Sequence, residues 1–510
     1  MKYFIKVLTF FFSLLLILPS LHFFYLRFCY DLKFPIVYDA FALAMVGRGF
    51  SNGFLPYADI FEVKPIGIFI LHFISYKLTD TLLLSHLFHI FCYALLFLMP
   101  LLFIKFVIIK NKSIIQYSLA IGISSILITY VDLKGGRLFP ELFGVFFSCL
   151  YVIVINTDFY KKHEKISYMI SGLLICIACN FKEPFLLTIL STSIIFSQNL
   201  KVFSKKFVIP FLIACILSTT FLISLHLLLP FFEYLHYMVF VHSIADNQTI
   251  FKRAFFDINN IFMTLNDFDY FLGYVFLLLL IFPIFNTLYG KIFIINKIKY
   301  ASLLSMKLLL ALYIATMAVR SSGMYYYQHN CFALPFIFAL LIYFLKTVNL
   351  KKMPIICYSL IIYLCLITSL YYYPTNKILN SSDDFFYDSQ LKAEANYVDA
   401  ILDKIDEKTY VYIGGLGFHL WGYTKHSPKG KYAVQVSNWN AEKLPKFYES
   451  IIDNVSDAKL IIFNNYKDEK LKNKIEPILN KNFTTKTPYS LKNIPMPKMR
   501  YKIYFRKNLN

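Results

Sequence analysis

A small group of charged side chains sits in otherwise apolar surroundings, and they are of the types that move protons and hold phosphates. Asp39, Asp59, Glu62 and Lys64 crowd one early segment; Lys134, Arg137 and Glu141 follow; Lys182 and Glu183 interrupt an apolar stretch; Arg320, Gln328 and His329 lie further on. A carboxylate within hydrogen-bond reach of a hydroxyl can take its proton. A cation beside a departing phosphate offsets the charge that grows there. Lysine does so as a compact point charge, whereas arginine adds a bidentate grip. Together these residues fit acid–base or transfer chemistry on a phosphate-bearing substrate, provided that one face of the protein gathers them.

Composition says what could gather them. The chain has 510 residues, 58% hydrophobic, 19% aromatic and only 16% charged, whereas soluble domains average about 25% charged and about 45–50% apolar residues. This predicts a polytopic α-helical membrane protein. Such an aliphatic and aromatic load excludes a disordered chain, and the length excludes a small disulfide scaffold. All nine cysteines precede residue 370. The pair Cys176 and Cys179, a C-x-x-C inside an apolar run, reads as packing thiols rather than a redox or metal motif.

A transmembrane helix needs about 20 apolar residues. The first 26 residues satisfy this after Lys2 and Lys6, without a clear cleavage site, and read as an uncleaved span. Further spans are expected at about 81–104, 114–131, 138–155, 166–181, 184–198, 207–230, 270–289, 301–319, 331–345 and 354–373, which makes about 11. The pair at 166–198 is broken by Phe181-Lys182-Glu183-Pro184.

The net charge of +21 is largely a topology signal. With the N terminus in the cytoplasm, the inner loops hold Lys105, Lys110 and Lys112; Lys161, Lys162 and Lys165; Lys201, Lys205 and Lys206; Lys291, Lys297 and Lys299; and Lys346, Lys351 and Lys352. This alternation is the positive-inside pattern, and an odd number of spans leaves the C-terminal tail outside. A nucleic-acid binder would instead concentrate its basic residues on one face, so no nucleic-acid partner is expected. The predicted location is the cytoplasmic (inner) membrane.

Three segments then face outward. The first, about 28–80, is too long for a simple turn and reads as functional. The second is about 231–269. The third is the tail, 374–510, where Tyr410–Ile413 before Gly414-Gly415 and Lys459–Phe463 read as buried strands, with amphipathic helices at 390–407 and 441–454. Alternating helices and strands predict an extracytoplasmic α/β domain. No internal repeat is visible, so a transporter built from inverted halves gains no support.

The stretch from Asp39 to Gly67, DAFALAMVGRGFSNGFLPYADIFEVKPIG, resembles the first outer loop of the GT-C glycosyltransferases, in the Rgt-like, protein mannosyltransferase and aminoarabinose transferase branch. Gly53-Phe54-Leu55-Pro56-Tyr57-Ala58-Asp59 is similar to that branch's G-x-x-P-Y-x-D, Lys64-Pro65-Ile66-Gly67 to its K-P-P or K-P-I, and Asp39 falls at its acidic position. More weakly, Arg137–Glu141 and Arg320–Pro335 resemble later family segments, and VYIGGLGFHLWGYTKHSPKGKY resembles the outer domains of the branch. Ala40 stands where the family commonly has a second acid, and Ile66 where it often has a second proline.

The resemblance implies an inverting transfer from a polyprenyl-phosphate or polyprenyl-diphosphate sugar to a hydroxyl on a glycan, lipid or protein. It casts Asp39 as general base, with Asp59 as a second acid, and Lys64 as the phosphate ligand. Arg137, Glu141, Lys182, Arg320 and His329, from the same set of outward-facing polar residues, are further substrate-binding candidates. Asp39, Asp59 and Glu62 are oxygen ligands suited to a divalent cation, although nothing in their spacing fixes a metal requirement.

Each residue also has a plainer reading. Asp39 suits a helix N-cap, Asp59 a turn, and Lys64 a snorkelling interfacial lysine. Arg137 with Glu141 and Lys182 with Glu183 suit simple ion pairs. Two competing functions are a lipid-linked glycan polymerase or ligase, and a flippase or permease, which predicts charges along both halves of a pathway.

Overall fold

The computed structural model describes residues 38–106, 140–237, 306–311, 314–315, 330–347, 382–414, 420–433, 444, 446–464 and 468–509, with Val7 and Tyr25. The spans expected at the N terminus and at 114–131, 270–289 and 354–373 lie outside these residues, as does most of 301–319. In chain order the main helices are α1 (Tyr38–Ser51), α2 (Ile66–Thr79), α3 (Leu83–Phe106), α4 (Pro140–Val154), α5 (Asp158–Lys162), α6 (Glu164–Phe181) and α7 (Phe185–Phe196). They continue with α8 (Leu200–Ser224), α9 (Leu228–His236), α10 (Leu334–Thr347), α11 (Ser382–Lys404), α12 (Phe447–Asp457) and α13 (Glu469–Asn482). Two of them, α6 and α8, are long and apolar enough to cross a membrane.

The chain divides into two compact units. The first includes the described residues from Leu87 to Thr219 and those of α10. Here α4 packs on α6 and α7, and α10 packs on both α4 and α7. The approach of α4 to α7 depends on Gly144, since the Phe185 ring lies where a Cβ would be. Along α7 the buried Ser191, Thr192 and Ser193 hydroxyls donate to carbonyls three or four residues back, at 2.7–2.8 Å. Small hydroxyl residues that satisfy themselves on the backbone allow close helix packing without stranded polar atoms. By contrast α8 leaves Leu212 56% and Ile216 65% exposed, an apolar face of the kind that lipid covers. Its first turns include a π-helical stretch, Ser204–Val208.

The second unit includes the described residues from Tyr38 to His86, those of α9, and the tail from Ser382. Its sheet has the order β2-β1-β3-β5-β4. The strands are β1 (Thr409–Ile413), β2 (Ser427–Pro428), β3 (Leu460–Phe463), β4 (Phe483–Thr484) and β5 (Lys502–Arg506). β1 runs parallel to β2 and β3, with Val411 opposite Ile461, while β5 is antiparallel to β3 and β4. The two strands read from sequence are β1 and β3, whose side chains are almost all buried. The expected helices are present with shifted bounds: α11 starts at Ser382, ahead of the predicted 390, and α12 starts at Phe447, after 441. Sequence reading missed α13, where Asp468 caps the helix by accepting from Leu471 N at 3.1 Å; its lysine-rich outer face hides a stripe of Leu471, Ile475 and Leu479.

Candidate functional site

Within the second unit the early segment folds around two helices and a tight loop. The backbone of Asp39 lies in the first turn of α1. Its side chain is outside the described residues. Ala40 through Val46 are all buried, so α1 is enclosed on every side. Gly47 lets α2 approach, because His72 occupies the place of a Cβ. At the far end, Arg48 donates from Nη1 to Asp80 Oδ1 at 2.5 Å and from Nη2 to Asp80 O at 3.1 Å, with its guanidinium 4.0 Å from the centre of the Tyr76 ring. The Lys77 ammonium donates to Ser51 O at 3.2 Å. These contacts fix α1 against α2, and Arg48 was not a sequence candidate.

In the G-x-x-P-Y-x-D stretch, Gly53, Tyr57 and Asp59 serve loop geometry. Gly53 has φ of 96° and Tyr57 has φ of 65°, so the chain reverses twice through the left-handed region. Tyr57 N donates to Ile60 O at 2.8 Å, and the fully buried Tyr57 ring stacks on Tyr234 with centroids 5.0 Å apart. Asp59 is exposed, and its Oδ2 accepts from Leu55 N at 2.7 Å. That is the turn role anticipated as its plainer reading. The Tyr57 hydroxyl donates to the Lys64 carbonyl at 2.8 Å, fixing the backbone at that lysine, and Pro65 then starts α2. Glu62 is buried and Lys64 is half-buried.

This loop is bound to residues 420–433 of the tail, which overlap the segment 411–432 singled out in sequence. Phe61 N donates to Lys431 O at 2.6 Å. The Asn52 side chain donates to Lys425 O and to Ser427 Oγ, both at 3.2 Å. Gly422 accommodates the Phe41 ring, which occupies the place of a Cβ. Lys431 in turn pairs with Glu233 of α9 at 2.5 Å. On the other side of that segment, Asp399 accepts from Lys425 N at 2.9 Å and meets His426 Nδ1 at 2.9 Å, while Asp403 Oδ1 lies 3.4 Å from His426 Nε2. Sequence reading missed this His426 cluster; its signal was two aspartates one helical turn apart in the amphipathic stretch 390–407. Nearby phenols are held neutral: burial, reinforced by the Glu233 charge, pushes Tyr432 up to about 12. Burial raises Tyr410 as well, outweighing its hydrogen bond with Thr424.

The first unit holds Glu141 and Lys182. Glu141, in the first turn of α4, lies 3.8 Å from the Lys182 ammonium just beyond the end of α6. Both side chains are largely buried, at 7% and 12% exposed. Glu141 therefore pairs across helices with Lys182. Glu141 Oε2 is buried with no hydrogen-bond partner, the kind of atom that a protonated or cationic ligand group would satisfy. Arg137, Arg320 and His329, with Lys134 and Gln328, lie outside the described residues.

Among the described residues no cluster of three or more His, Cys, Asp or Glu side chains has the arrangement of a metal site. Of the three oxygen ligands suggested by sequence, Asp59 already engages the turn, Glu62 is described as buried, and the Asp39 side chain is outside the described set. No protein-family model matches the chain, and no curated protein matches it significantly.

Proposed function

We propose that the chain is an integral-membrane sugar transferase of about 11 spans, with its N terminus in the cytoplasm and its first loop and tail outside. The carrying observation is the early segment: its sequence pattern is similar to the GT-C first loop, and the same residues fold into one unit with the tail. In this reading Asp39 removes the proton from an acceptor hydroxyl as the hydroxyl oxygen attacks the anomeric carbon. The bond from that carbon to the phosphate oxygen breaks, and its electron pair leaves with the polyprenyl phosphate or diphosphate. Inversion follows from attack opposite the leaving group. Lys64 offsets the growing phosphate charge. Asp59 keeps the loop in shape, a supporting role that its bond to Leu55 N favours over proton transfer.

A glycan polymerase or ligase would use the same donors, and a flippase or permease would move them without chemistry. Purified protein in lipid discs, supplied with a panel of polyprenyl-phosphate sugars and hydroxyl acceptors, separates these. Formation of a glycosidic product of inverted anomeric configuration, read by NMR, is expected. Transport with no product would refute the reading.

A further inference from the structure

The end of the tail has a feature that sugar transfer does not use. After Glu476 the chain contains eight Lys and Arg residues and no Asp or Glu. Arg500 is committed to Glu394 at 3.1 Å, and Lys507 to two carbonyls at 2.9 Å. Lys486, Lys492 and Lys498 instead stand exposed on the loop between β4 and β5. The same loop presents Tyr489, 82% exposed, and Met496, 59% exposed, the only large apolar side chains so exposed among the tail's described residues.

The loop is built to hold them out. Leu491 is only 1% exposed and pins a short 3-10 turn, Tyr489–Leu491, whose backbone bonds run from Leu491 N to Pro488 O at 3.0 Å and from Lys492 N to Tyr489 O at 3.2 Å. Pro488, Pro495 and Pro497 further restrict the chain. The Lys492 ammonium lies 4.9 Å from the centre of the Tyr489 ring. A phenol and a thioether projecting from a rim of lysines combine apolar area with positive charge, the two contributions that drive binding to an anionic bilayer surface. The tyrosine ring suits the headgroup layer, where one end is apolar and the other wet.

We propose that this loop docks the tail onto an anionic lipid surface, with Tyr489 and Met496 entering the headgroup layer and the three lysines meeting lipid phosphates. The inference rests on the membrane-residence part of the function proposed above, and not on sugar transfer.

The full chain carrying Tyr489→Trp, placed in lipid discs, tests it. Discs of brominated phosphatidylglycerol are expected to quench most of the emission that the substitution adds to wild type. That quenching should weaken severalfold in brominated phosphatidylcholine, at high salt, or when Lys486, Lys492 and Lys498 are all changed to Ser. Equal emission with and without bromine in anionic discs would overturn the proposal while leaving membrane residence intact. Equal quenching in both lipids would overturn its charge component. An emission shift produced by an acidic polysaccharide, with no effect of lipid, would overturn it in favour of a glycan partner. Failure of the chain to enter discs at all would overturn the docking and the membrane reading together.

Discussion

The Asn52 side-chain amide donates to the Ser427 hydroxyl at 3.2 Å across 375 residues of sequence, and to the neighbouring Lys425 carbonyl at the same distance. It thereby ties the turn after α1 to the tail segment that Asp399 grips from its other side. A net hydrogen bond contributes about 0.5–1.5 kcal/mol, so Asn52→Ala should lower the unfolding free energy of this unit by about 1 kcal/mol. Ser427→Ala should add little on top of it, because the two share a bond. Thermal unfolding of the two single variants and the double variant measures this.

Gly422 tests the same junction by volume. A Cβ there would enter the Phe41 ring, and Phe41 is 2% exposed. Overpacking of this kind costs about 1–3 kcal/mol. Gly422→Ala is expected to lower the unfolding temperature, and Phe41→Leu in the same chain to recover part of the loss. Limited proteolysis of the tail gives a second readout.

Much of this architecture was legible in sequence because it is written in local patterns. β1 and β3 are short apolar runs ending in turn residues, and the helices α3, α4, α6 and α7 follow uninterrupted hydrophobic stretches. The early loop stood out through Gly53, Pro56 and Tyr57, and the fold uses the positive φ of Gly53 and Tyr57 directly. What stayed hidden depends on distant partners. The Arg48–Asp80 bridge, the pairing of Glu141 with Lys182 and the grip of Asp399 on residues 425 and 426 bring together groups 26 to 41 positions apart, and no periodicity marks them. The β5 strand alternates buried Ile503 and Phe505 with the more exposed Lys502, Tyr504 and Arg506, but with only two apolar positions facing inward the run is too short to stand out in sequence.

The Glu141–Lys182 pair should show the asymmetry of buried charge. Removing one partner strands the other, at about 3–5 kcal/mol, while replacing both with apolar groups is often close to neutral. Lys182→Met is therefore expected to destabilise the first unit strongly, and Glu141→Leu with Lys182→Met to be milder than either single change. Thermal unfolding in detergent for the double-mutant cycle decides the stability question.

Alkali should loosen the tail in a defined window. Tyr432 has its folded-state pKa raised from 10.0 to about 12 by burial and by Glu233. The stability carried by its neutral phenol is thus complete below about pH 10 and is lost as pH rises through about 12. The slope is at most about 1.4 kcal/mol per pH unit for one such group. Tyr432→Phe should flatten the fall in unfolding temperature across this range without abolishing it, since burial also raises Tyr410 and Tyr412.

The role proposed for Asp39, the base of a sugar transfer, is tested by the turnover of Asp39→Asn with a lipid-phosphate sugar that wild type accepts. The exchange keeps size and polarity while removing the proton acceptor. A drop in kcat of about 10²–10⁴-fold is expected, with donor binding and unfolding temperature near wild type. Full turnover by Asp39→Asn would contradict the assignment.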